Sequence, residues 1–279
     1  MRIEPLPTYR PWTPDPFRTE VERRPDGTMY LRPVDTLSAY PDRLTDWLEH
    51  WAMQAPKRVF VARRDSRGEW QTVTYEQMLA RVRRIAAGLL TRELSADRPI
   101  AILSGNSIEH LTLALAAAWI GVPYCPVSPA YSQVSTDLQK LRYVLDLLTP
   151  GLVAAFDTPA FARALQLVPS SVEIVGDGGA GVTSLDELER EPNTALEQAH
   201  ARTNADTIVK FLLTSGSTGQ PKAVITPNRM LCSNAQMLRQ SMPFLVEDPP
   251  VLVDWLPWNH TFGGSHNVGL VLSNGGSLY

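Results

Sequence analysis

The segment Thr214-Ser215-Gly216-Ser217-Thr218-Gly219-Gln220-Pro221-Lys222 sets hydroxyl side chains, glycines and a lysine between apolar runs. These residue types suit a polyphosphate. Glycine lets successive backbone N–H groups turn toward an anion, hydroxyls donate further hydrogen bonds, and lysine neutralises charge. Gln220 and Pro221 separate Gly219 from Lys222, so this is not the loop in which glycine, lysine and a hydroxyl residue are consecutive. Pro221 pushes Gln220 out of helical backbone angles, which predicts a return into a second strand, Ala223 to Thr226, rather than a helix. A merely solvated turn would leave the fit of hydroxyl, glycine and lysine positions to one mechanism unexplained. Spacing argues against a nucleophilic serine, because Gly216-Ser217-Thr218-Gly219 lacks the order of a nucleophile elbow.

A second segment, Leu256-Pro257-Trp258-Asn259-His260-Thr261-Phe262-Gly263-Gly264, follows the apolar run Val251 to Trp255, which reads as a buried strand. An α/β fold places ligand-facing loops after its strands. Trp258 and Phe262 offer flat apolar walls for an aromatic acid, and His260 offers a contact to its carboxylate. Taken alone, a tryptophan-rich core corner with a satisfied histidine explains the segment equally well. Beside the phosphate segment, the pocket reading leads.

Together these segments resemble the adenylate-forming superfamily of acyl-CoA synthetases, luciferases and peptide-synthetase adenylation domains. The Trp-Asn-His-Thr-Phe-Gly-Gly string is most similar to feruloyl-CoA synthetases. Further similarity lies in Ile102 to Ser107 with the apolar helix after it, and in Gly121 to Tyr131. The resemblance implies ATP-dependent activation of a hydroxycinnamic, ferulate-like acid to an acyl-adenylate and then an acyl-CoA, with ATP, Mg²⁺ and CoA. It assigns Thr214, Ser215, Gly216, Ser217, Thr218, Gly219 and Lys222 to the ATP phosphates, and Trp258, His260, Phe262 and Gly263 to the acyl pocket. Ala223 stands where many members carry glycine. Full-length members are roughly twice this length, so the chain is expected to be an N-terminal fragment, inactive alone. The adenylation lysine, the Mg²⁺ ligand and the adenine and ribose contacts are expected in the missing part, so no catalytic residue and no metal ligand is assigned here. The alternatives are a non-catalytic remnant, half of a split enzyme completed by a separate C-terminal half, and a synthetase for another acid.

The elements that must position these segments form an α/β pattern. Residues 1–40, rich in proline and arginine, read as an irregular extension, and 41–279 as a partial adenylation domain. Leu44, Trp47, Leu48, Trp51, Ala52 and Ala55 recur at helical spacing, which places their tryptophans in the core. Arg58 to Arg63 and Glu69 to Val73 predict a hairpin, and Thr74 with Gln77 a capping box on the next helix. Alternating strands and helices from Ile100 to Val175 predict a mostly parallel sheet flanked by helices, with Thr158 as an N-cap before Pro159. Gly176 to Gly181 lacks dinucleotide-loop order and reads as a surface loop, residues 184–205 as an acidic helical connector, and Met230, Leu231, Leu238 and Met242 as a core-facing stripe.

Composition narrows the partners. A net charge of −3 leaves no basic footprint for nucleic acid. Cys125 and Cys232 lie far apart, which predicts reduced, buried thiols, and His260 and His266 are not at metal-ligand spacing. The N-terminus has no apolar leader and Leu111 to Val122 is too short to span a bilayer, so the expected compartment is the cytoplasm. The resemblance implies a small aromatic carboxylic acid as partner.

Overall fold

The computed structural model of the chain describes residues 18–215 and 219–279. The chain opens with β1 (Thr19–Arg23) and β2 (Met29–Pro33), an antiparallel hairpin exposed on every residue. This corrects the irregular reading of residues 1–40 over its described part. The turn signal was present in Pro25-Asp26-Gly27, where Gly27 adopts a positive φ of 87°.

After α1 (Leu44–Gln54) come β3 (Val59–Arg64), β4 (Trp70–Thr74) and α2 (Tyr75–Leu89). Thr74 and Gln77 form the expected capping box at the head of α2. Trp47 and Trp51 pack against the core margin and are only partly buried. The layered region follows as β5 (Ile100–Ile102), α3 (Ile108–Trp119), β6 (Tyr124–Pro126), α4 (Gln139–Leu148), β7 (Leu152–Ala155), α5 (Thr158–Leu165), β8 (Glu173–Gly176) and β9 (Thr183–Ser184). Then come α6 (Thr194–Arg202), β10 (Ile208–Ser215), β11 (Pro221–Pro227), α7 (Asn228–Ser241), α8 (Phe244–Glu247), β12 (Val251–Leu252), α9 (Val268–Asn274) and β13 (Ser277–Leu278).

A seven-stranded sheet has the order β11-β10-β6-β5-β7-β8-β9 and is parallel except for the β10–β11 pair. Its central strands β5, β6 and β7 are buried on both faces, and the period of two separates those faces. Ile100, Ile102, Leu152 and Ala154 join one cluster with α2, α3 and α9, while Ala101, Val153 and Ala155 join another with α4 and α5. A second sheet has the order β12-β13-β3-β4. Cys125 and Cys232 are buried free thiols, and no described helix is long and apolar enough to cross a membrane.

Four local expectations are corrected. The N-cap of α5 is Asp157, at φ 82°, and Thr158 is already helical. The backbone N–H groups of both residues donate to Asp177 Oδ2, so the helix start is capped from the neighbouring loop. Residues 184–205 include the end of β9 and a 3₁₀ turn, Asp186–Leu188, as well as α6. Met230 on α7 is half exposed, so the stripe reaches the core only through its other members. Finally, Val251 to Trp255 is not a buried strand: β12 is a two-residue edge strand, and Val253 and Trp255 are about 80% exposed, at 79% and 83%. Alternation explains this, since Val251, Val253 and Trp255 share one outward side.

Candidate active site

The phosphate segment forms the tip of the β10–β11 hairpin. Thr214 pairs with Lys222 and Ser215 with Pro221, as the return strand requires. Pro221 is tolerated because β11 is the sheet edge, where a missing N–H breaks no further ladder. Gly219 adopts φ +84°, and a Cβ there would meet nothing, so its glycine answers to conformation rather than to space. Gly216, Ser217 and Thr218 lie outside the described residues, as does the Ser215 side chain. Thr214, Gly219 and Lys222 are exposed, and Thr214 Oγ1 donates to Lys222 O at 3.4 Å.

The aromatic segment folds differently from a simple loop. Phe262–Asn267 is a π-helical turn that runs into α9. Its start folds back on the preceding chain, with the His260 N–H donating to Pro257 O and the Gly264 N–H donating to His260 O. A Cβ on Gly263 would lie 2.5 Å from Pro257 O, and one on Gly264 would lie 2.0 Å from Trp258 O. Both glycines are therefore demanded by close backbone approach. Trp258 is buried edge-on to His110, with ring centroids 5.4 Å apart, and its buried indole N–H has no hydrogen-bond partner among the described residues. Phe262 is 58% exposed and stacks on His266 at 4.5 Å. His260 is exposed. The expected walls, Trp258 and Phe262, thus pack against different histidines.

Three residues not singled out from the sequence organise this turn. Asn106, in the loop after β5, donates from Nδ2 to Leu256 O at 2.8 Å and accepts from the Trp258 N–H at 2.9 Å. That two-sided clamp is the physical link between Ile102 to Ser107 and the Trp258 turn. Asn106→Ala removes the acceptor protecting the Trp258 amide, so hydrogen exchange there is expected to accelerate about 10-fold for the loss of one hydrogen bond. Unchanged exchange would refute the clamp. His110 is buried on α3, and burial first, with Lys210 also lowering it against the Gly105 bond, brings its pKa down to about 4. A neutral ring must then carry its proton on Nδ1, which bonds Gly105 O at 3.0 Å. Lys210, on β10, donates from Nζ to Gly264 O at 2.9 Å and so joins the phosphate strand to the aromatic turn. The partners of Asn106 and Lys210 lie far away in sequence, so no local spacing announces them.

A crevice of about 640 Å³ opens beside this region, lined in part by Asn106, Ser107, Phe156, Asp157, Phe161 and Asp177. It lies past the carboxyl ends of β5 and β7, where the strand order reverses around β5. Such switch points are where open α/β sheets hold ligands.

An α/β sheet whose edge hairpin carries this phosphate-type segment, with an aromatic turn anchored to the same strand, defines a protein of the adenylate-forming class. The chain belongs to the AMP-binding enzyme family, whose family model matches residues 48–279. It is 30% identical over 174 residues to olefin beta-lactone synthetase of Xanthomonas campestris, covering 61% of this chain and 30% of that protein. It is 23% identical over 218 residues to an indenyl-propanoyl:CoA ligase of Rhodococcus jostii, covering 74% of this chain and 42% of that one. The fold matches a fatty acyl-adenylate ligase from L. pneumophila, solved with acyl adenylate and pyrophosphate, at a TM-score of 0.66 and 18% identity, over 85% of this chain and 39% of that one. The chain therefore spans less than half the length of each of these relatives.

Proposed function

We propose that this chain is the N-terminal part of an ATP-dependent ligase that activates an aromatic, ferulate-like carboxylic acid. The observation that carries this reading is the junction of two motifs: β10 runs into the phosphate hairpin and at the same time anchors Gly264 of the Trp258 turn. A nucleotide phosphate on Thr214, Gly219 and Lys222 and an acid beside the aromatic turn would be tied together through β10 and its hairpin. The carboxylate oxygen attacks the α-phosphorus of ATP, the bond to pyrophosphate breaks, and an acyl-adenylate forms. A thiol, which we assign to CoA, then attacks the acyl carbon and AMP leaves. Chemistry of this kind depends on positioning and charge neutralisation. Mg²⁺ and CoA enter the proposal through the family, and no residue of this chain is assigned to either. The acyl pocket is assigned to Trp258, His260, Phe262 and Gly263, and the setting to the cytoplasm.

A second reading, half of an enzyme completed by another polypeptide, is favoured by the open outer edge of β12 and the exposed Val253 and Trp255 beside it. Pyrophosphate release with ATP, Mg²⁺ and ferulate, measured on this chain alone and joined to a C-terminal lobe, tests both. Activity in the completed enzyme with ferulate, and none in the chain alone, is expected. Release with fatty or amino acids but not ferulate would overturn the substrate assignment. Release by the chain alone would overturn the need for completion.

A further inference from the structure

Burying a lysine without a carboxylate beside it is costly to folding, and stability alone does not account for such a residue. Lys210 is 1% exposed in the middle of β10. The space around it is lined mainly by apolar side chains, including Leu44 of α1, Leu111 of α3, Leu231 of α7 and Val268 of α9. Among the described residues, the titratable groups facing this region are His110 from α3 and Tyr124 from β6. Burial alone lowers the amine from its ordinary 10.5 to about 7. The bond it makes is to the neutral carbonyl of Gly264, which cannot offset the desolvation of an ammonium. That carbonyl belongs to the π-helical turn bearing the aromatic motif, and π-helical turns cluster at functional sites.

We propose that Lys210 is a positioning residue: by holding the Gly264 carbonyl, it keeps the acyl-side turn in register with the strand that carries the phosphate hairpin. The inference rests on reading the Trp258 turn as the acyl wall. Its consequence is a pair of effects with opposite signs. Methionine fills similar volume without a charge, so Lys210→Met removes the desolvation cost and raises thermal stability, while freeing the turn. A residue retained only for packing or stability would not show this split.

The sign of the pH dependence follows. Between about 7 and 10.5 the unfolded chain binds a proton that the folded chain lacks, so this lysine's contribution to stability rises with pH across that window. Lys210→Met is expected to lose that rise.

The test uses the 279-residue chain as wild type, Lys210→Met and Lys210→Gln, with glutamine retaining an N–H donor for Gly264 O. Thermal unfolding against pH, amide exchange of the segment from Trp258 to Val268, and binding of ferulate and of ATP are measured. In Lys210→Met the melting temperature is expected to rise, exchange to accelerate about 10-fold and ferulate affinity to fall by about 10-fold, the worth of one hydrogen bond, with ATP affinity within about twofold. Lys210→Gln restores exchange and ferulate binding. Unchanged exchange in Lys210→Met, or loss of stability together with both ligands, overturns the proposal. Wild type that binds ATP but no ferulate overturns the acyl reading instead, and the exchange arm still decides the tether.

Discussion

On the function proposed above, Gly264→Ala is expected to cost the completed enzyme about 10²-fold in pyrophosphate release with ferulate, the scale set by a misplacement of about 1 Å at a reacting site. The added methyl would lie 2.0 Å from Trp258 O, 2.9 Å from Trp258 C and 3.1 Å from Trp258 Cα, all backbone atoms with no rotamer to change. Relief requires the Trp258 peptide to move away. That motion breaks the Lys210 bond to Gly264 O and pulls the Trp258 N–H from Asn106 Oδ1. The phosphate hairpin is not touched, so ATP binding should persist. Gly269→Ala supplies the control. It lies five residues on, in α9, where a Cβ meets nothing within 4 Å. Alanine there removes the conformational freedom of a helical glycine and is expected to stabilise by about 0.5–1 kcal/mol without loss of activity. Equal activity in the two variants would mean that the turn does not position substrate.

Much of the scaffold around that turn is readable from the chain. Pro221 forbids a helix after Gly219, and the return strand follows. Thr74 and Gln77 announce α2 because both capping partners lie within four residues. The alternation from Ile100 to Val175 yields a parallel sheet because each short apolar run is followed by a helix long enough to cross over. Where structure and sequence pattern differ, two local signals point in opposite directions. Apolar content made Val251 to Trp255 look buried, although their alternation aims Val253 and Trp255 outward. Proline and arginine content hid the β1–β2 hairpin despite its Asp-Gly turn.

The candidate site is legible by residue type and not by geometry. The motif residues stand out because hydroxyl, glycine, lysine and tryptophan are unusual in those orders. What holds them does not stand out: an ordinary asparagine 150 residues before its partner Leu256, and a lysine inside a strand of apolar residues 54 before Gly264. Spacing rules describe neighbours along a helix or strand, whereas these bonds depend on how separate elements come to rest on one another.

Gly88→Ala tests the scaffold itself and should be the most destabilising single methyl in α2. Helical glycine to alanine ordinarily gains up to about 1 kcal/mol. At this position the new Cβ would sit 1.6 Å from Leu188 O and 2.8 Å from Leu188 C. Leu188 ends the 3₁₀ turn Asp186–Leu188 and is fully buried. The turn cannot drift freely, because Arg81 pairs with Asp186 and Glu189, and Arg84 pairs with Glu189. The Arg190 N–H also donates to Arg84 O. Either α2 shifts against the sheet or this clasp is strained, and overpacking of that kind costs about 1–3 kcal/mol or more. The clash should outweigh the propensity gain, leaving a net loss of roughly 2 kcal/mol in urea unfolding. Arg81→Ala, which removes partly exposed ion pairs, should cost under about 1 kcal/mol. Combined with Gly88→Ala it should cost less than the sum, because releasing the clasp lets the turn yield. Strict additivity, or a neutral Gly88→Ala, would show that the turn moves aside without resistance and that Gly88 is free of the contact with Leu188.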